Sequence, residues 1–252
     1  MTGNPTPETG FTDSPVLITG AAAGIGLAIA QTFAARGARL FLIDREERIA
    51  AIAAELGPRH RAMQLDVRED DCGTRAVAAA LDAFGRLDIL INNVGIGPLA
   101  PAEEYPLDLW DATLSINLRA AFLFARAAAA PMLAQGYGRI VNMSSQAATI
   151  GIEGHVAYCT SKAGILGMTR CMALEWGKRG ITVNALSPTV TETELGLMSW
   201  GGQKGVETRA AIPVGRFAKP EEVAEAVLYL ASPQAAMVSG ANLAIDGGYT
   251  IR

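Results

Sequence analysis

Tyr158 and Lys162 stand four residues apart in the stretch GHVAYCTSK, a spacing that places both side chains on one face of a helix. A free tyrosine has a pKa of about 10 and is a poor base at neutral pH, but a nearby ammonium group favours the phenolate. The pair is therefore either an ordinary structural contact or a proton-transfer site. Other motifs along the chain bear on this choice.

A glycine-rich turn, TGAAAGIG, spans residues 19–26 between an apolar strand and a helix. Gly20, Gly24 and Gly26 permit a tight turn and a close approach of the backbone, and the helix that begins near Ile25 offers free N–H groups to a pyrophosphate. Such turns also serve only to pack a helix on a strand. Its place at the start of a strand–helix series favours dinucleotide binding.

Asp44 closes the second predicted strand, where a carboxylate can accept both hydroxyls of an adenosine ribose and repel a 2′-phosphate. This position favours NAD over NADP. Arg45 complicates the prediction, because an adjacent guanidinium could bind that phosphate. Asp44 could also cap the helix that follows.

Polar and small residues follow the third and fourth predicted strands. They are Asp66 and Val67 after the third, and Asn93, Val94 and Gly95 in NNVG after the fourth. One interpretation is an adenine site, and the other is a set of ordinary turn residues at strand ends.

Short apolar strands alternate with helices along the whole chain, as in PVLITG, ARLFLID and RLDILINN. This order predicts an α/β fold, a single Rossmann-type doubly wound parallel sheet with helices on both faces. We expect a flexible leader at 1–14, one dinucleotide-binding and catalytic domain at 15–252, and two long helices at 107–135 and 155–179. The irregular stretch 195–217 predicts a substrate lid at about 193–217.

The composition limits the partners. Half of the 252 residues are hydrophobic, 18% are charged and the net charge is −4, so we expect no nucleic acid and no anionic membrane as a partner. Cys72, Cys159 and Cys171 show no metal spacing, which predicts no metal site and a reduced, cytoplasmic protein. The N-terminus does not look like a signal peptide, and Arg119 and Arg126 interrupt the most apolar stretch, which argues against a membrane span.

The motifs TGAAAGIG, NNVG, YCTSK and SPTVTET, with Asn117 and Ser145 between them, occur in the order and spacing of the short-chain dehydrogenase/reductase family, which the chain resembles from about Val16 to its C-terminus. The resemblance implies that Tyr158 is the general acid/base and that Lys162 lowers its pKa and holds the nicotinamide ribose. It implies that Ser145 positions the reacting oxygen and that Asn117 holds a water that links Lys162 to solvent.

The same resemblance implies further cofactor contacts. Thr193 would place its hydroxyl on the nicotinamide amide or the pyrophosphate, while Pro188 and Val190 would bring backbone to the nicotinamide ring, whose B face would meet the substrate. Val94 departs from the family pattern, which usually has alanine there, and Thr189 stands where glycine is frequent.

The stretch SPTVTETELGLMSW is similar to that of L-xylulose reductases and related sugar-alcohol dehydrogenases, which implies a polyol or ketose substrate. His155, Trp200 and Gln146 would line the substrate site. Each has a plainer interpretation: His155 as a helix-start residue, Trp200 as packing within the lid and Gln146 as a surface loop residue.

We therefore expect an NAD-dependent oxidoreductase that transfers hydride between a polyol, or another secondary alcohol, and the corresponding ketone. The alternatives are a 3-oxoacyl thioester reductase and a dinucleotide-sensing regulator without catalysis. Two long apolar helices and the family resemblance also predict a homotetramer.

Overall fold

The strands form one parallel sheet that matches the predicted fold class. The computed structural model describes residues 10–251. Seven strands run in the order β3-β2-β1-β4-β5-β6-β7. Their bounds are β1 Pro15–Thr19, β2 Arg39–Asp44, β3 Arg61–Gln64, β4 Ile89–Asn92, β5 Gly138–Met143, β6 Ile181–Pro188 and β7 Asn242–Ile245.

Helices connect the strands and cover both faces of the sheet. They are α1 Gly24–Ala35, α2 Ile49–Leu56, α3 Cys72–Phe84, α4 Leu107–Leu114, α5 Ala120–Gln135, α6 Val156–Trp176, α7 Glu194–Ser199, α8 Gly202–Ala211 and α9 Pro220–Ala231. Helices α1, α2 and α9 pack on one face, and α3, α5 and α6 pack on the other. Successive side chains of a strand point to opposite faces of the sheet. In β1, Val16 and Ile18 pack in the core under α1, α2 and α9, and Leu17 packs in the core under α3, α5 and α6. Both faces are buried, so the strands are apolar throughout.

The order of the strands reverses at β1, since β2 lies on one side of it and β4 on the other. The turns that follow β1 and β4 diverge to opposite sides of the sheet and leave a crevice at the edge where the strands end. Open α/β sheets bind ligands at such a switch point. Most of the predicted site residues follow strand ends and therefore lie along this edge.

The long helical run Leu107–Gln135 contains a break in the α-helical hydrogen bonding. Residues Ser115–Arg119, between α4 and α5, form a π-helical turn that the sequence did not predict. In the described part of the chain this run is the one helix whose length and mean hydropathy of 1.2 would suffice to cross a membrane, but half of its apolar window is buried. Phe124 and Met132 pack against the sheet, as in the core helix of a globular fold.

Two predictions about irregular segments need correction. The stretch 195–217 is largely helical, because α7 and α8 occupy most of it. Helix α7 is capped by the Thr193 hydroxyl, which accepts from the Gly196 amide at 3.0 Å. Helix α8 was not predicted because it has few apolar residues and therefore no clear helical period. The predicted leader at 1–14 lies largely outside the described residues, but its last part is packed: Phe11 is buried with its ring edge-on to Phe33, 4.9 Å between centroids.

Candidate active site

The turn between β1 and α1 forms the floor of the crevice. Gly20 and Gly24 have φ of +69° and +54°, the left-handed region that favours glycine. A Cβ on Gly26 would stand 1.9 Å from the Gly20 carbonyl oxygen, so only glycine fits there. Helix α1 has no side-chain cap, since Ala23 precedes it, and the N–H groups of its first turn stay available. This bare, closely packed turn fits a pyrophosphate.

Asp44 at the end of β2 is tied to the same turn. Its carboxylate accepts from the Ala22 amide at 2.9 Å and from the Glu46 amide at 3.1 Å. Helix α2 begins at Ile49, so the alternative role of Asp44 as a helix cap is not observed. Arg45 is largely exposed and lies 3.4 Å from Glu46, Nε to Oε1.

The crevice encloses about 560 Å³, and most of the predicted cofactor residues line it. These are Gly20, Gly24, Ile25, Gly26, Asp44, Arg45, Asp66, Val67, Asn93, Val94, Gly95 and Thr193. Asn93 and Asp66, which follow β4 and β3, also have structural partners, so the turn interpretation and the binding interpretation hold together. Asn93 donates from Nδ2 to the carbonyl oxygen of Gly20 at 3.0 Å, and Asp66 pairs with Arg68, whose hydrogen bonds lower the pKa of that carboxyl.

A second cavity, of about 290 Å³, adjoins the crevice and contains the proposed proton-transfer residues. Tyr158 lies in the first turn of α6 and Lys162 one turn later. The Lys162 ammonium donates to the Met143 carbonyl oxygen at 2.8 Å and lies 5.6 Å from the centroid of the Tyr158 ring. Ser145, which follows β5, shares a side-chain hydrogen bond with Tyr158. Its neighbour Ser144 instead donates to the Lys162 carbonyl oxygen at 3.0 Å, a structural contact.

Burial dominates the titration of this pair. It raises the pKa of Tyr158, and the hydrogen bond with Ser145 offsets this only in part. It lowers the pKa of Lys162 to about 8. The direction for Tyr158 is the opposite of the one implied by the family resemblance, because the loss of hydration disfavours the phenolate in this cavity.

Asn117 is buried in the π-helical turn, and its amide group is held by backbone. It accepts from the Ile96 amide at 2.8 Å and donates to the Ile96 carbonyl oxygen at 2.8 Å and to the Ser161 hydroxyl at 3.0 Å. A Cβ on Gly95 would stand 3.3 Å from Lys162 Nζ and 3.5 Å from Asn117 Oδ1. Gly95 therefore keeps open the space between the two side chains.

The three predicted substrate residues line the second cavity together with Pro188 and Val190. Gln146 is 4% exposed and is thus a cavity residue, not a surface loop residue. The His155 ring stacks on Trp200 at 6.4 Å and an angle of 20° and meets the Tyr158 ring edge-on at 6.1 Å. Both plainer interpretations hold as well, since His155 directly precedes α6 and Trp200 packs on lid residues.

Sequence reasoning missed several polar residues of this cavity, among them Thr189 and Lys204. Lys204 lies over the Trp200 ring, 4.3 Å from Nζ to the centroid, and belongs to a helix that was not predicted. Thr189 was noted only as a departure from the family pattern. Within residues 10–251, no three histidine, cysteine or acidic side chains converge as metal ligands would.

Comparison with known proteins places this geometry among dehydrogenases. Residues 20–250 match the family model described as enoyl-(acyl carrier protein) reductase. The chain is 51% identical over 241 residues to D-threitol dehydrogenase of Mycolicibacterium smegmatis, covering 94% of this chain and 92% of that one. It is 45% identical over 243 residues to NAD-dependent glycerol dehydrogenase of Listeria innocua, covering 96% of both. A solved structure of a candidate NAD(P)-dependent gluconate 5-dehydrogenase from Beutenbergia cavernae, with NADP at low occupancy, has a TM-score of 0.91 at 37% identity and covers 97% of this chain and 100% of that one.

Proposed function

The chain belongs to the short-chain dehydrogenase/reductase family, and on that premise we propose that it is an NAD-dependent polyol dehydrogenase. The observation that carries the proposal is the convergence of Ser145, Tyr158 and Lys162 in a cavity that adjoins the crevice of the glycine-rich turn. The two relatives named for threitol and glycerol are 51% and 45% identical over nearly the whole chain.

In this proposal Tyr158 takes the proton from the substrate hydroxyl and Ser145 holds the reacting oxygen by a hydrogen bond. The glycine-rich turn and Asp44 would hold NAD, which would supply the acceptor for the hydride of the carbinol carbon. Lys162 stays largely protonated at neutral pH, because its lowered pKa is still about 8. Its positive charge, close to the Tyr158 ring, favours the phenolate and counters the effect of burial.

Asn117 acts through position. Its side chain anchors the backbone at Ile96 and faces Lys162 across Gly95, where a water could connect the lysine to solvent. Thr193 lines both the crevice and the second cavity, whereas Pro188 and Val190 line the second cavity alone. These positions suit contact with a nicotinamide.

The choice of NAD over NADP rests on Asp44. Its carboxylate lines the crevice and is held there by two backbone amides, so a 2′-phosphate would meet a fixed negative charge. The neighbouring Arg45 has an acidic neighbour of its own in Glu46, which reduces the positive charge available to that phosphate.

The test is a survey of NADH formation with polyols of three to six carbons, with simple secondary alcohols and with a 3-hydroxyacyl thioester. We expect the highest kcat/KM for a polyol and a preference for NAD over NADP. Higher kcat/KM for the thioester with NADP would favour the reductase alternative, and tight NADH binding without turnover of any alcohol would favour the regulator.

The proposal includes a cytoplasmic homotetramer assembled through the two long helices. Leu107 and Leu174 on these helices are 78% and 84% exposed, and a groove of about 550 Å³ between them is lined by Leu114, Leu118, Phe122 and Met168 among others. Covering such apolar surface is favourable. Light scattering at micromolar concentration checks this, and a monomer there would contradict it.

A further inference from the structure

Five buried side-chain atoms in the described chain have no hydrogen-bond partner in the protein. They are Asn92 Oδ1, Arg139 Nε, Gln146 Oε1, Thr182 Oγ1 and Thr189 Oγ1. Buried polar atoms are nearly always paired, so each exception needs an explanation. Two of the five, those of Gln146 and Thr189, belong to residues that line the catalytic cavity.

The topology brings these two residues together. Strands β5 and β6 are neighbours, and Met143 pairs with Leu186 near their ends. Gln146 and Thr189 each lie three residues beyond that pair, at the same edge of the sheet. Gln146 also directly follows Ser145, which shares a hydrogen bond with Tyr158. The two residues therefore line the cavity beside the place proposed for the reacting oxygen.

The chemistry of the two groups selects their ligand. The amide oxygen of Gln146 can only accept a hydrogen bond, whereas the hydroxyl of Thr189 can donate or accept. A substrate hydroxyl can donate to the first and accept from the second, but an alkyl group can do neither. Both atoms are buried, so a ligand in the cavity would meet them after rotation about χ1 of Thr189 and about the terminal bond of the Gln146 side chain.

We propose that Gln146 and Thr189 form a subsite for a second hydroxyl, on the carbon next to the one that is oxidised. The preferred substrates are then vicinal diols and polyols, and not isolated secondary alcohols. This inference rests on the proposed alcohol oxidation and adds to it a reason for polyol selectivity and a role for Thr189.

The experiment compares 2,3-butanediol with 2-butanol, which share a carbon skeleton and differ in the second hydroxyl. We expect the wild type to favour the diol in kcat/KM by at least about tenfold, because a site that can pair a hydroxyl discriminates against an analogue that lacks it. Thr189→Val and Gln146→Met should each reduce this ratio several-fold, because the loss of a pairing group weakens the reaction of the diol more than that of 2-butanol.

Two further variants separate a subsite from a structural effect. Thr182→Val removes another unpaired buried hydroxyl from β6, but at the opposite end of the strand and outside the cavity, and it should leave the ratio unchanged. Thr189→Ser keeps the hydroxyl and should retain the preference even if Thr189→Val does not fold.

Equal kcat/KM for the two alcohols in the wild type, or a diol preference that survives both Thr189→Val and Gln146→Met, would overturn the subsite. Absence of oxidation of any alcohol would instead refute the proposed function. The two failures are thus distinguishable in one set of assays.

Discussion

The contact between Arg216 and Glu222 joins the end of the predicted lid at 193–217 to α9, and Glu222→Gln tests its contribution. Arg216 donates from Nη1 to Oε2 at 2.7 Å and from Nη2 to Oε1 at 2.5 Å. The Lys219 amide donates to Oε2 at 2.8 Å. The hydrogen bonds from Arg216, then that from Lys219, lower the pKa of Glu222 from 4.5 to about 2.

The pKa shift sets an upper limit on the stabilisation. Each unit of pKa is about 1.4 kcal/mol, so the full shift would correspond to roughly 3 kcal/mol. The two side chains are 45% and 41% exposed, and solvent screens such pairs to at most about 1 kcal/mol. We therefore expect Glu222→Gln to cost about 1 kcal/mol at pH 7, which lowers Tm by roughly 2–4 °C in a chain of this size.

The pH dependence gives the sharper test. Because the folded pKa of Glu222 is depressed, its contribution is present above pH 4.5 and is lost as the pH falls towards 2. The assay is thermal unfolding of the wild type, Glu222→Gln and the neighbouring control Glu221→Gln between pH 7 and 3. We expect the gap between wild type and Glu222→Gln to shrink at the acid end, with Glu221→Gln close to wild type throughout. A loosened lid should also raise KM for the polyol more than it lowers kcat.

A gap that stays constant down to pH 3, or a Glu221→Gln variant as unstable as Glu222→Gln, would refute the reasoning. The first result would mean that the carboxylate charge is not responsible. The second would mean that any charge in the first turn of α9 has the same effect, through the helix dipole.

Other predictions concern the site itself. Tyr158→Phe should bind NADH normally in a fluorescence titration and lose turnover by about 10³-fold, and surviving turnover would exclude it as the acid/base. Asp44→Ala should reduce the preference for NAD over NADP about tenfold or more in kcat/KM, while a wild type that prefers NADP would contradict the ribose argument. Gly26→Ala should weaken NADH binding about 100-fold, because its Cβ would stand 1.9 Å from the Gly20 carbonyl oxygen; unchanged affinity would show that the turn is not the binding site. Reduction of the ketose should slow as the pH rises through about 8, where Lys162 loses its charge, and a rate that climbs there would argue against a role for that charge.

Most elements of the fold could be predicted because their signals are local. The apolar runs that form β1, β2 and β6 are bounded by turn residues, and α9 begins at Pro220 as its sequence indicates. The lid helices α7 and α8 were missed because short helices with few apolar residues have no clear period. The π-helical turn at Ser115–Arg119 was also missed, since nothing in its residue types differs from an α-helix.

The candidate site also has a part that local sequence signals predict and a part that they do not. The sequence by itself determined which residues follow strand ends and that Tyr158 and Lys162 share a helical face, because both follow from chain order and helical period. Only the tertiary structure decided that Gln146 and Thr189 are buried without partners, that His155 stacks on Trp200, and that burial raises the pKa of Tyr158. Each of these depends on the packing of segments far apart in the chain, whose exclusion of water is invisible to any local pattern.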